Sequence, residues 1–143
     1  MDIIITIVII FFSLLAWLGQ LVTALSHKHA ARLGLAEDES EVDPAFLADL
    51  HGEALWDTII LWILPVAGIL FLLNNSWWTY FGLVGGGTYL YFAGRGIIVR
   101  LSMQRRGIRI GKPETIKVAY IFLSIWGLLA IVTIFMSIVN LPN

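Results

Sequence analysis

The chain has 143 residues, of which 59% are apolar and 13% charged, and its formal net charge is −1. Soluble domains carry about 45–50% apolar and about 25% charged residues, so this composition, with a mean hydropathy of +0.87, indicates a protein embedded in lipid. The absence of cysteine excludes a disulfide scaffold and a cysteine-ligated metal site, and the near-zero net charge argues against nucleic-acid binding.

The first predicted element is a membrane span over residues 3–26, a stretch that contains no charged side chain. A helix needs about 20 apolar residues to cross a bilayer, so this stretch supplies one crossing. It differs from a signal peptide because Met1-Asp2 provides no basic residue and the apolar run exceeds the usual core of about 7–15 residues. We therefore interpret it as a retained anchor.

The next segment, residues 27–53, begins with basic and histidine side chains and then becomes acidic. Residues 34–42 have the composition of a flexible linker. Asp43 and Pro44 are the residue types favoured at a helix N-cap and at the first helical position. We therefore expect a helix to start there and to run into the second span.

The uncharged stretch from Thr58 to Gly94 is too long for one membrane helix and too short for three. It is interrupted by a turn-forming cluster at residues 74–76, Asn-Asn-Ser. The sequence therefore predicts a second span over residues 54–73 and a third over residues 77–101.

Two features of these spans concern their packing. Pro65 predicts a kink in the second span. Gly82 and Gly86 form a GxxxG pattern on the third span, and small residues at this spacing allow another helix to approach closely. That contact could belong to ordinary helix packing or to an oligomer interface.

A fourth span over residues 116–139 completes the predicted fold, an all-α four-helix transmembrane bundle forming a single integral membrane domain over residues 1–143. Lysine and arginine concentrate in the loops 27–53 and 102–115, whereas the turn at 74–76 has no charge. The positive-inside rule then places both loops in the cytosol and both termini outside. Trp77, Trp78 and Tyr80 would form an aromatic belt at the outer interface, and we expect the membrane to be a bacterial inner (cytoplasmic) membrane.

The small net charge conceals two opposed clusters. Between Glu37 and Asp57 the chain carries eight acidic residues and no basic one, and between Arg95 and Lys117 it carries seven basic residues against Glu114 alone. Both clusters belong to the same membrane face in the predicted topology. They would either neutralise each other beside a solvated loop or form a charged vestibule that attracts a polar ligand or a partner.

Ionisable side chains also fall inside the predicted spans. Asp57 and Arg95 each lie about one turn or more within the apolar boundary, where a charged group normally faces the bundle interior with a partner. Because the second and third spans are antiparallel neighbours, we expect an Asp57–Arg95 pair. The pair could fix helix register, Arg95 could instead reach lipid phosphate, or both could line a cytosol-facing polar cavity. The side chains that would line such a cavity are Glu53, Asp57, Tyr91, Arg95, Lys117 and Tyr120.

The positions of the three histidines argue against a haem site and a metal site. His27, His29 and His51 lie at or beyond the cytosolic boundary, so haem held by two histidines within the membrane is not expected. His51 with two nearby carboxylates lacks a second histidine, and we predict no metal site. No serine–histidine–acid set or zincin motif is present, which leaves catalytic residues unassigned.

Two segments carry a resemblance to a known family. Residues 43–53, DPAFLADLHGE, are similar to the segment that leads into the second helix of the MAPEG family, the membrane-associated proteins in eicosanoid and glutathione metabolism. Residues 89–95, YLYFAGR, resemble that family's third helix, in which an arginine follows aromatic residues. The resemblance implies a four-span trimer that binds glutathione on its cytosolic side between subunits, with Arg95 as the family-like residue.

Two functional hypotheses follow. The first is a MAPEG-like protein whose cytosol-facing pocket binds glutathione or a lipophilic anionic small molecule, with Arg95 and Lys117 holding the anion and Tyr91 or Tyr120 donating a hydrogen bond. The second is a non-catalytic accessory subunit of a larger respiratory or photosynthetic membrane complex. The expected partners are the lipid bilayer and either further copies of the chain or that complex, and glutathione is a cofactor only by resemblance.

Overall fold

The computed structural model describes residues 3–142, and the elements it contains are helical. Met1, Asp2 and Asn143, the ends of the predicted 1–143 domain, lie outside the described residues. The helices are α1 (Ile3–Leu25), α2 (His27–Arg32), α3 (Pro44–Ile60), α4 (Ile63–Leu72), α5 (Trp78–Arg105) and α6 (Pro113–Val139), with a single 3₁₀ turn at Glu39–Glu41. The described residues form no β-strand, so the prediction of an all-α fold is confirmed.

Within residues 3–142, three stretches are long and apolar enough to cross a membrane: α1, the combined α3–α4 segment Pro44–Leu72, and α6. Large apolar side chains such as Phe11, Leu128 and Phe135 point away from the rest of the protein on α1 and α6. These helices indicate an integral membrane protein. Helix α5 is equally long, with 28 residues, but its glycines, tyrosines and arginines make it more polar than the other three stretches.

The second predicted span, 54–73, is not a single helix. Helix α3 begins ten residues earlier, at Pro44, and the chain turns at Leu61 and Trp62 before α4 begins. Proline has no N–H to donate and its ring clashes with the carbonyl four residues earlier, so Pro65 breaks the helix at Leu61. The kink predicted from Pro65 and the helix start predicted at Pro44 are both confirmed.

The turn between α4 and α5 lies where the sequence predicted it. Asn74 has a φ of 52°, in the left-handed region. The Asn75 N–H donates to the Leu70 carbonyl at 3.0 Å and the Asn74 N–H to the Phe71 carbonyl at 2.9 Å, a pattern that satisfies the last free carbonyls of a helix. The same pair of bonds, donated by the Gly107 and Ile108 N–H groups, follows α5. The last residue of α5, Arg105, lies four residues beyond the predicted end, so the loop 102–115 is shorter than expected.

Helix α5 packs between α4 and α6, and glycines bring it close to both. A Cβ atom added at Gly85 would lie only 2.7 Å from the Leu64 Cα of α4. On the neighbouring face, Gly82 and Gly86 lie against Ser137 and Ile134 of α6. The GxxxG pattern therefore lies in a contact within the chain.

Side-chain hydrogen bonds to backbone carbonyls join helix α1 to the other helices. Such bonds are useful in lipid, where the hydrophobic effect does not hold helices together. Three aromatic side chains act as donors: Tyr89 to Ser13 O at 2.6 Å, Trp126 to Phe12 O at 2.8 Å, and Trp17 to Thr58 O at 3.0 Å. Helix α1 is therefore bonded to α3, α5 and α6.

The two loops on the side where α3 begins and α5 ends are also joined. Val42 forms an antiparallel bridge with Ile110, and the Asp43 N–H donates to the Arg109 carbonyl at 2.8 Å. Asp43 occupies the N-cap position of α3, but its carboxylate accepts from the Arg109 N–H at 3.1 Å instead of capping the helix. We call residues 42–43 and 109–110 the loop clasp. The loop clasp covers an apolar cluster that includes Phe46.

The close approach at Gly85 can be tested by substitution. We expect Gly85→Ala to lower the free energy of unfolding by about 1–3 kcal/mol, because the added methyl group meets the α4 backbone, which cannot rotate away. Gly87 lies two residues further along the same helix with open space around it, so Gly87→Ala should be neutral or stabilising by up to about 1 kcal/mol. Thermal unfolding in detergent measures both. Equal melting temperatures for the two variants would contradict the packing argument.

Candidate functional site

Arg95 binds two carboxylates of helix α3. Its Nη2 lies 2.5 Å from Asp49 Oδ1, and its Nη1 lies 3.1 Å from Glu53 Oε1. Asp49 and Glu53 are one turn apart on the same face of α3, so one guanidinium can reach both. The Glu53 side chain is 6% exposed and that of Arg95 27%, which places this pair at the edge of the bundle interior.

The prediction of an ion pair between Asp57 and Arg95 is wrong. Asp49 lies on α3 outside the predicted span 54–73, and it occupies Arg95 together with Glu53. Asp57 is buried one turn deeper, with 2% exposure, and its Oδ2 has no hydrogen-bond partner among the described residues. Asp57 is therefore on the same helix face as the pair but outside it.

The remaining predicted site residues make no hydrogen bond or ion pair with Arg95. Tyr91 is 58% exposed and faces outward. Lys117 and Tyr120 line a separate groove along α6, where the Tyr120 hydroxyl donates to Gln104 Oε1 at 2.7 Å. The structure thus brings together Glu53, Asp57 and Arg95, and leaves the other three of the six elsewhere.

A cavity of about 640 Å³ lies between α1, α5 and α6, close to the two loops. Helices α1 and α6 pack against each other much less closely than α5 packs against α6, which leaves this space between them. The deeper wall is apolar and consists of Leu15, Gly19, Phe92, Phe122, Leu123 and Trp126. The wall near the loops is polar and includes Glu37, Asp38, Glu41, Glu53, Arg100 and Lys112.

Residues 34–38 and Glu41, which belong to the segment 34–42, form the roof of this cavity. The segment was predicted to be a flexible linker, but it contains a 3₁₀ turn, and the Glu37 carbonyl accepts from the His27 ring at 2.8 Å. Glu41 pairs with Lys112 at 3.4 Å, across the exposed surface of the two loops. The Asp38 carboxylate accepts two bonds from Ser40, and these hold the pKa of Asp38 below its usual value. The acidic and basic loops therefore contact each other, as the charge distribution predicted.

Arg100 is the buried cation in the wall of this cavity, and it was not among the residues selected from the sequence. It is 9% exposed, its guanidinium lies 5.4 Å from the centre of the Phe46 ring, and its Nη2 lies 3.8 Å from Glu37 Oε1. The sequence offered one signal, because Arg100 follows Arg95 by five residues on a helix that carries few other charges. Nothing in the spacing indicated that Arg100 and Arg95 would have separate acidic partners.

No protein-family model matches the chain, and searches of curated proteins and of solved structures found no match. The MAPEG resemblance therefore stays a prediction. Among the described residues, no group of three or more histidine, aspartate and glutamate side chains is placed to hold a metal ion. What can be argued about function comes from the cavity and its charges.

The Arg95 contacts predict a specific pattern of stability. Arg95→Gln leaves Asp49 and Glu53 without their cation and should lower the free energy of unfolding by about 1–3 kcal/mol. Arg105→Gln, in the exposed last turn of the same helix, is the matched control and should have almost no effect. Adding Asp49→Asn and Glu53→Gln to Arg95→Gln should restore part of the loss. Chemical denaturation in detergent measures these differences, and equal stabilities for the two single variants would refute the pairing.

Proposed function

We propose that the chain crosses the membrane four times, with α5 as the additional span, both loops in the cytosol and both termini outside. A helix of 28 residues is about 42 Å long, which is enough to cross a bilayer. The tight turn at Asn74 joins α5 to α4, so two adjacent antiparallel helices would enter the membrane together. Arg105, Arg106 and Arg109 at the other end of α5 favour a cytosolic position for that loop.

The absence of cysteine from the sequence makes this topology directly testable. Single-cysteine variants Asn75→Cys and Arg106→Cys place one thiol in the turn after α4 and one in the loop after α5. In intact cells a membrane-impermeant maleimide should label the first and not the second, and after permeabilisation it should label both. Labelling of both in intact cells, or of Arg106→Cys alone, would overturn the four-span topology.

We further propose that the cavity binds a small molecule, as a MAPEG-like protein would bind glutathione or a lipophilic anionic compound. The observation that supports this is the graded wall of the cavity, apolar at depth and polar near the loops. Its volume of about 640 Å³ lies within the range of about 300–1,000 Å³ that is typical of ligand pockets. A molecule with an apolar and a polar end would match both parts of the wall.

The cavity changes which residues we assign to the ligand. Arg95 contacts Asp49 and Glu53, and neither Arg95, Tyr91, Lys117 nor Tyr120 lines the cavity. Of the six side chains selected from the sequence, only Glu53 does. The cavity's basic groups are Arg100 and Lys112, and these are the candidates for contact with an anion.

Binding can be measured by calorimetry on the detergent-purified protein, with glutathione and S-hexylglutathione as probes. Gly19 faces open space at the cavity wall, so Gly19→Trp should fill the cavity and abolish binding without strain. Gly87→Trp adds the same side chain to an exposed helix face away from the cavity and should leave binding unchanged. No binding of either probe would exclude glutathione, and binding that persists in Gly19→Trp would exclude this cavity.

The oligomeric state distinguishes this proposal from an accessory-subunit role. A MAPEG-like protein should purify in mild detergent as a self-contained trimer. Co-migration with a large respiratory or photosynthetic complex would instead favour the subunit role. Size measurement by light scattering, with the detergent contribution subtracted, separates the two outcomes.

A further inference from the structure

Arg100 has more hydrogen-bond donors than the protein uses. A guanidinium offers five N–H donors, yet among the described residues Arg100 makes a single hydrogen bond, from Nη1 to the Gly96 carbonyl at 3.2 Å. Its Nε is buried and has no partner. A buried donor without a partner costs free energy, so this cation, in the wall of a cavity, is suited to an anion that could complete its bonds.

Glu37 lies beside Arg100 without satisfying it. The Glu37 Oε1 is 3.8 Å from Arg100 Nη2, which is within ion-pair distance but too far for a hydrogen bond. Glu37 is itself 7% exposed and belongs to the roof of the cavity. It packs on Gly111, where an added Cβ would lie 2.9 Å from Glu37 Cγ. A carboxylate supplied by the protein therefore lies next to the cation that a ligand would use.

The cavity continues from Arg100 into an apolar section. About 20 Å of helix separates the start of α6 at Pro113 from Trp126, which lies at the deep end of the cavity. Trp126 donates to the Phe12 carbonyl and so joins α6 to α1 at that depth. Gly19, in the wall between these levels, leaves room for a chain to pass.

We propose that Arg100 binds the carboxylate of a fatty acid, whose hydrocarbon chain occupies the apolar section between α1 and α6. Glu37 then acts as an internal competitor that must move away from Arg100 when the ligand carboxylate binds. This assignment rests on the proposed function, because it names the ligand class for the same cavity.

The charges around Arg100 favour a carboxylate over a phosphate. Glu41, Glu53 and Glu114 also line the cavity, and a dianionic phosphate would be repelled by them more strongly than a monoanionic carboxylate. The Glu37 side chain shows that a carboxylate fits beside the guanidinium. Glutathione, with two carboxylates and an ammonium group, has no apolar chain to fill the deeper section.

The test compares four probes on the purified full chain: laurate, dodecanol, dodecyl phosphate and glutathione. Calorimetry in a non-ionic detergent should give tighter binding for laurate than for dodecanol, which has the same chain without the charge. It should also give tighter binding for laurate than for dodecyl phosphate. Equal affinity for laurate and dodecanol, or tighter binding of the phosphate, would overturn the carboxylate assignment.

Three variants test the two side chains. Arg100→Gln should weaken laurate binding about tenfold or more, because the charge-assisted bonds are lost. Glu37→Gln should strengthen laurate binding, because the competing carboxylate is neutralised while the side chain keeps its shape. Glu39→Gln, on the exposed 3₁₀ turn outside the cavity, is the control and should have no effect. If the Arg100→Gln variant does not fold, the Glu37→Gln variant tests the proposal by itself. Unchanged or weaker laurate binding in Glu37→Gln would refute the proposal.

The two proposals can fail separately. If Gly19→Trp abolishes binding but Arg100→Gln and Glu37→Gln leave it unchanged, the cavity binds a ligand and the fatty-acid assignment is wrong. If no probe binds, or if binding of every probe survives Gly19→Trp, the proposed function fails as well.

Discussion

The close contact of α5 with α4 and α6 determines the positions of the other groups in this bundle. In lipid the hydrophobic effect does not drive helices together, so backbone proximity and side-chain hydrogen bonds must supply the attraction. The missing side chain at Gly85 lets α5 approach the α4 backbone, and Gly82 and Gly86 let it approach α6. With α5 held on two sides, Tyr89 reaches the α1 backbone, and the basic end of the helix reaches the acidic loop.

The acidic and basic segments neutralise each other in separate places. Arg95 binds two carboxylates on α3, Lys112 pairs with Glu41 on the exposed surface, and Arg100 lies near Glu37 inside the cavity. The first two contacts are shorter, and in them the charges of Arg95 and Lys112 are paired with carboxylates of the protein. The third is long, and the Arg100 guanidinium lies in the cavity wall, where its charge can act on a ligand. Of the two interpretations of the sequence, mutual neutralisation describes the Arg95 and Lys112 contacts, and a charged vestibule stays a proposal for the cavity.

The residue types at a few positions predicted much of the backbone conformation, namely where helices start, break and turn. The start of α3 at Pro44, the break before Pro65 and the turn at Asn74 each follow from the chemistry of one or two residues. The site was harder to predict, because helical spacing shows which side chains share a face but not which neighbour that face meets. Asp49 lies outside the predicted span 54–73 and was not considered as a partner of Arg95, so the competition for Arg95 was missed. The position of Glu37 depends on Gly111, a residue more than seventy positions away in the chain, and no local pattern reports such a contact.

The polarity of α5 has a consequence for biogenesis under the proposed four-span topology. Translocon insertion of an isolated helix carrying Arg95 and Arg100 is opposed by about 2.5–3.5 kcal/mol for each arginine at the bilayer centre, and by less near its edge. The carboxylates that pair with Arg95 lie on α3, which is synthesised earlier. Under that topology, the carboxylates that pair with Arg95 are already present when α5 is made. Chain order, with the acidic helix made before the basic one, would then be part of how the protein reaches its membrane.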